Sequence, residues 1–439
     1  MGRALRRAFW VVAAALGVAI AVPFLVPVSH FIPELSRYVS DKLGQPMAIE
    51  ALRLHLIPSP RVVAHRVTAG RRGQVTIGEL EIVPDLGALV GGARSIRLIR
   101  AQRVVIEEGA LAIPHARAKP SPGGAQLEVR RVLLNAVKLK HPIVDMPLFD
   151  ADVRLAKGLR LREARFETHD GKLKLRVVPA GPDALAVELA ATSWTLLAGS
   201  PLEFDALAAH GTLKGGELEL AKLEGALYGG KISGSAHIAW GKHWQAAGRV
   251  ALAGVELAPL QKALGKPAHL SGRLHADANF STQAKTAAEL REQLSLQAPF
   301  EVLGGVYRGV DLARASQLGD ERDPGDATYF EELKGRLELS GQRVRLQPLC
   351  MRSPSLVAAG KVEIAPDKSV NGKLDISVAQ TGGILGVPVT LGGTTDEVTM
   401  RPSKGYLIGA AIGTAIMPGL GTSIGSAIGG RIGVGLDCK

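Results

Sequence analysis

Hydrophobic and polar residues alternate with a period of two along most of this chain. Leu52, Leu54 and Leu56 do so in LRLHL, Leu173 and Leu175 in KLKLR, Leu218 and Leu220 in ELEL, and Val250 and Leu252 in RVAL. The pattern returns with Leu337 and Leu339 in RLEL, Val344 and Leu346 in RVRL, and Leu374, Ile376 and Val378 in KLDISV. A period of two places such residues on one side of a β-strand. Gly-, Pro- or Asp-rich turns part these runs every ten residues or so, which predicts an extended antiparallel meander of strands with one apolar face each. The stretch LEGALYGGKISGSAHIAW shows the device closely. Ile232, Gly234, Ala236, Ile238 and Trp240 share one face, Lys231, Ser233, Ser235 and His237 the other, and Tyr-Gly-Gly reads as the turn before them. Gly225 to Lys231 also spell G-x-x-x-x-G-K, but Ile232 stands where a phosphate loop needs a Ser or Thr, and no helical pattern follows.

Helical signals are few. Residues 33–44, PELSRYVSDKLG, have a leading Pro, an apolar stripe of Leu35, Tyr38, Val39 and Leu43, and a closing Gly. Residues 286–294, TAAELREQL, predict a second helix, and PDLGALVGG near Pro84 a further turn. Two loops, ARAKPSPGGAQ at 116–126 and LGDERDPGDA at 318–327, divide the chain into segments 29–115, 127–317 and 328–403.

The two ends differ from the body. Arg3, Arg6 and Arg7 precede Phe9–Val28, a run without charge long enough to cross a bilayer as a helix. It lacks a small-x-small cleavage site, so residues 9–28 are expected to be an uncleaved anchor, with residues 1–8 cytoplasmic and the rest exported. In residues 404–439, Gly405, Gly409 and Gly413 and then Gly421, Gly425, Gly429 and Gly433 repeat every four residues around Pro418 and Gly419. That spacing puts a smooth stripe on each arm of a helical hairpin, suited to close helix packing. Each arm would be only ~20 Å long, short for a full span. The tail therefore either packs on the β body or dips into a membrane or onto a membrane partner.

Composition fits this picture. Of 439 residues 46% are hydrophobic and only 4% aromatic, and the 52 glycines suit many turns and close approaches. The net charge is +12, with Arg94, Arg97, Arg100, Arg103, Arg154, Lys157, Arg160, Arg162 and Arg165 crowding the first half. These suit anionic lipid headgroups or simply a solvated strand face. Catalytic chemistry is sparse. GTSIG at 421–425 matches a nucleophile elbow, yet Ser423 lies inside the glycine repeat instead of after a buried strand. Histidines lack metal-ligand spacing, and neither a cofactor nor a metal is expected. Cys350 and Cys438, the only cysteines, form one disulfide in an oxidising compartment or remain two thiols.

The order of these features resembles AsmA-like proteins of Gram-negative envelopes. The resemblance rests on the anchor and on YVSDKLGQPMAIEALRLHLIPSPRV, with Gly44, Pro46, Ile49, Leu52, Leu54, Leu56, Pro58 and Pro60. It extends through LEGALYGGKISGSAHI, LSGRLHADANFSTQAKTAAELREQLSLQAPFEVLGGVYRGVDL and DATYFEELKGRLELSGQRVRLQPLCMRSPSLVAAGKVEIAP, covering most of residues 9–400. It implies a mainly β protein: a single-pass anchor in the bacterial inner membrane, N-terminus cytoplasmic, followed by a periplasmic antiparallel sheet curled into an apolar groove that carries phospholipid toward the outer membrane. The expected groove lining is Leu218, Leu220, Ile232, Ala236, Ile238, Trp240, Val250, Leu252, Leu337, Leu339, Leu374 and Ile376. Expected partners are phospholipids, the inner membrane, and a membrane or protein partner at the C-terminal hairpin, with no nucleic acid. Periodicity alone leaves open whether the apolar faces seal against a second sheet or line a channel. A scaffold without lipid transport, and a hydrolase using Ser423, are the competing functions.

Overall fold

The structure is a computed structural model that describes residues 46–57, 59–70, 74–85, 87, 95–107, 128–140, 146–195, 202–286, 288–314, 325–378 and 386–403. The anchor at 9–28, the helix expected at 33–44, the loop at 116–126 and the tail at 404–439 lie outside the described residues, as does most of the turn near Pro84. What is described is mainly β: 22 strands with a few short helical turns between them. The chain divides into two compact units, one ending at Ala190 and one beginning at Ala191.

The first unit contains β1 (Met47–His55), β2 (Arg61–Ala69), β3 (Val75–Pro84), β4 (Ser95–Glu107), β5 (Glu128–Val129), β6 (Arg131–Lys140), β7 (Phe149–Ala156), β8 (Arg160–Thr168) and β9 (Leu173–Pro179). Strand β10 (Ala184–Thr195) pairs with β9 at its end. Neighbours in sequence pair antiparallel, with one correction to the expected meander. Strand β4 runs parallel to β5 and β6, with Ile99 opposite Val132 and Ile106 opposite Leu139. A parallel pair needs a crossover of a dozen residues or more, and residues 108–127 supply that length. A short local turn would have allowed only the antiparallel partner.

Alternation sorts the first unit's faces. Leu52, Ala64, Leu80, Ala101, Leu134, Ala151, Phe166 and Leu175 stand opposite one another in turn across eight strands. On the reverse side one row holds Arg53, Val63, Glu81, Arg100, Leu133, Asp152, Arg165 and Arg176. Most charges on this side, Arg53 excepted, are paired: Arg131 reaches Asp152 at 2.8 Å, and Glu163 receives Arg165 at 3.0 Å and Arg176 at 2.9 Å.

The second unit is an antiparallel meander. Its strands are β11 (Glu203–Lys214), β12 (Glu217–Leu227), β13 (Gly230–Ala239), β14 (Trp244–Glu256), β15 (Leu270–Ala284) and β16 (Ser295–Arg308). They continue as β17 (Ala327–Ser340), β18 (Arg343–Arg352), β19 (Leu356–Ile364), β20 (Val370–Val378), β21 (Gly386–Gly393) and β22 (Val398–Pro402). Each pairs with the next, and among the described residues no pairing joins β22 to β11, so this sheet is open. The Tyr-Gly turn is a two-residue hairpin loop. Leu227 pairs with Gly230, while Tyr228 and Gly229 take φ of 44° and 73°, the left-handed pair that matches the strands' twist.

The helix expected at 286–294 is corrected to a single 3-10 turn at Ala288–Arg291. It closes the β15–β16 hairpin, where Thr282 donates to the Leu290 carbonyl at 2.6 Å and Glu289 accepts from the Lys285 amide at 3.2 Å. So short a run between two long strands cannot recover the cost of nucleating a helix. The α-helix α1 (Leu257–Ala263) lies in a connection that sequence periodicity did not mark. Its Leu257 and Leu260 pack against strand residues, and Gln261 bonds the Leu270 backbone.

Candidate functional site

The second unit's registers place nonpolar residues opposite one another strand after strand. One row runs Leu207, Gly225, Ile232, Leu252, Ala276, Phe300, Gly335, Leu349, Gly360, Leu374, Val389 and Pro402, one residue from each strand from β11 to β22. A second runs Gly211, Leu220, Ala236, Gly248, Phe280, Leu296, Leu339, Val344, Ile364 and Val370. A third runs Val255, Leu274, Val302, Leu333, Met351, Ala358, Ile376 and Val387. None contains a polar side chain. The reverse face reads Ser235, Arg249, Asn279, Gln297, Glu338, Arg345, Glu363 and Asn371 in one continuous row. Directly paired residues share a face, so one side of this sheet is apolar and the other polar.

Bulges keep this separation intact. Registers shift between Leu220 and Leu223, between Leu252 and Val255, and between Leu346 and Leu349, so the flanking apolar residues return to the same side. Each inserted residue bends its strand and adds twist. Pro348 sits in one such shift, where a missing N–H costs no regular ladder bond.

The apolar face is covered unevenly. In the first two rows the residues from β11 to β18 are half-buried, whereas Leu374, Ile376, Val389, Leu391 and Met400 are buried. The third row's margin is covered by α1 and by Val310 and Leu312, which join its buried cluster. That segment is pinned by Thr328, which accepts from the Leu312 amide at 2.9 Å and donates to the Val310 carbonyl at 2.8 Å. A cavity of ≈ 680 Å³ along β14 to β19 belongs mainly to the reverse face: His275, Asp277, Glu301, Lys334 and Arg336 line it beside the first-row positions between them. At a strand spacing of ~4.8 Å, twelve strands extend for roughly 50 Å; the second row lies four residues to one side of the first and the third row two residues to the other, an apolar band of roughly 20 Å across.

Three phenylalanines shape the band. Phe280 is paired with Gly248, Phe300 with Gly335 and Phe330 with Gly305. A Cβ at Gly248 would come 2.9 Å from the Phe280 ring, and one at Gly335 3.3 Å from Phe300. The rings lie over their glycines, which fills the missing side chain and leaves the surface low.

Eleven of the twelve expected lining residues, Leu218, Leu220, Ile232, Ala236, Ile238, Val250, Leu252, Leu337, Leu339, Leu374 and Ile376, fall on this one face. Trp240 lies just past β13, 38% exposed, stacked on Trp244 with ring centroids 6.0 Å apart. The third row apart from Ile376, and the Phe–Gly pairs, were missed, because pairing across strands is not written in any single strand. Gly405, Gly409, Gly413, Gly421, Gly425, Gly429, Gly433, Ser423 and Cys438 lie outside the described residues. Cys350 is disulfide-bonded and 6% exposed.

Charge stays on the reverse face. Arg249 makes a two-pronged ion pair with Asp277, whose hydrogen bond holds that carboxyl below its ordinary range. Burial pushes Asp375 up. Among the described residues no group of three His, Cys, Asp or Glu is placed to hold a metal, and no helix is long and apolar enough to cross a membrane.

Residues 149–349 match the model of the AsmA family. Over those residues the chain is AsmA-like. The match runs from β7 to the last turn of pairing in β18, a shorter stretch than the resemblance across residues 9–400, and it contains the half-buried part of the apolar face. No curated protein and no solved structure matches the AsmA-like chain.

Proposed function

We propose that this AsmA-like chain is a non-enzymatic envelope protein, anchored in the inner membrane by residues 9–28, that carries phospholipid acyl chains along the second unit's apolar face and serves outer-membrane biogenesis. The observation carrying this reading is the uninterrupted apolar register from β11 to β22, half-buried over its first eight strands, on a sheet whose reverse is polar. An ordinary core would bury such a face against another layer, since exposed apolar surface costs about 25 cal/mol per Å². A band of roughly 20 Å accommodates the ~15 Å depth of one leaflet's hydrocarbon. The disulfide at Cys350 favours an oxidising compartment, in keeping with export.

The test places a photoreactive residue at Ile232 or Ile238 in cells and looks for lipid crosslinks, with Ser235 on the reverse face as control. Crosslinks from the first two positions alone support carriage. Equal labelling from all three positions, or none from any, favours a scaffold that holds envelope proteins without carrying lipid.

A further inference from the structure

The first unit has its own cavity, of ≈ 450 Å³, on the reverse of its apolar rows. Arg53 and His55 of β1, Arg61 of β2, Glu79 and Glu81 of β3 and Arg100 of β4 line it. Register explains the convergence: Arg53, Val63, Glu81 and Arg100 form one cross-strand row, and His55 stands opposite Arg61. Glu81 receives Arg100 at 2.6 Å and Arg61 at 3.4 Å, so one carboxylate holds two guanidiniums in place. Glu79 is approached at 4.0 Å by Arg103. Arg53 makes no ion pair among the described residues, and His55 Nδ1 is buried without a hydrogen-bond partner.

Two features separate this cluster from the closed ion pairs elsewhere on the same face. Positive charge exceeds negative, with three arginines facing Glu81 once Glu79 is matched by Arg103. Donor capacity is also left over, at Arg53, at the outer edges of Arg61 and Arg100, and at a buried imidazole nitrogen. Guanidinium forks arriving from three strands suit a tetrahedral oxyanion with more than two acceptor oxygens. We infer that this cavity binds a phosphate oxyanion, with Arg53 as the principal ligand and Arg61 and Arg100 as a fork preset by Glu81. The volume exceeds what one phosphate fills, leaving room for a glycerol ester. Strand β1 follows closely on the expected anchor, which brings two sources of this chemistry within reach: a phospholipid headgroup or free phosphate.

The experiment is calorimetric titration of the full chain, in dodecyl maltoside and phosphate-free buffer, with sn-glycerol 3-phosphate and with inorganic phosphate. Both bind the unaltered chain; Arg53→Gln weakens binding at least tenfold, and Arg53→Lys, which keeps charge but loses the fork, falls between. Arg53 is exposed and unpaired, so neither change disturbs folding. Ile232→Asp, which disables the apolar band of the other unit, leaves phosphate binding unchanged, so this inference and the lipid-carrying reading fail separately. A glycerol 3-phosphate preference of tenfold or more identifies a headgroup, and equal affinity identifies free phosphate. Absence of binding by either compound, or an Arg53→Gln chain that binds like the original, overturns the inference.

Discussion

Single side chains decide how low and how apolar the second unit's face is. Gly248 is the sharpest case. A side chain there would meet the Ser235 carbonyl as well as the Phe280 ring, so Gly248→Val is expected to lower stability by about 1–3 kcal/mol, read as a reduced urea midpoint. Adding Phe280→Leu should recover only part of the loss, because the carbonyl stays. Full recovery would mean that the ring alone sets the limit. Cys350 supports a second expectation. Peptide mapping without reductant should find it joined to Cys438, the chain's one other cysteine, and recovery of Cys438 as a free thiol would contradict this. The alternating Leu, Ile and Val positions were legible in the sequence because period two fixes a residue's face within its own strand. Phe280 over Gly248 was not, since that contact depends on register between strands far apart in the chain.

At the scale of elements, turns and charge ladders hold registers in place. The Tyr228–Gly229 loop was legible as a turn, because two positive φ values in succession ask for glycine. Gly229→Val should cost about 1–2 kcal/mol from the left-handed backbone, again read by denaturation. The parallel β4–β6 pair was illegible, since alternation gives a strand's faces but not its partner or direction. The same limit made residues 286–294 look helical: Leu290 and Leu294 fit a helix stripe, yet the hairpin they close leaves room for one turn. In the first unit the Arg131 hydrogen bond lowers the pKa of Asp152, and that of Arg176 lowers Glu163. Both folded values lie below the unfolded ones, so their stabilisation is complete above the unfolded range near pH 4 and is lost as pH falls through the folded values. Denaturation midpoints measured from pH 6 to pH 2 should fall with acidification, less steeply in Arg131→Gln. Identical slopes would show that the pair adds nothing, the usual result for a wholly exposed ion pair.

For the molecule as a whole, the AsmA family match and the two-faced sheet narrow the choice between a sealed core and a lipid-bearing surface. Composition and periodicity could not make that choice, because an apolar strand face looks the same whether protein or acyl chain covers it. The register rows bear on it through coverage: the face is half-buried from β11 to β18 and buried beyond, so open apolar surface remains where the family match lies. The most direct measurement is native mass spectrometry of the full chain beside its Ile232→Asp and Phe300→Asp variants. Lipid carriage predicts several phospholipids retained per chain, and a marked drop in both variants although residues 9–28 are unaltered. A lipid-free chain, or equal retention in all three, would contradict it and leave the apolar face as a protein-binding surface.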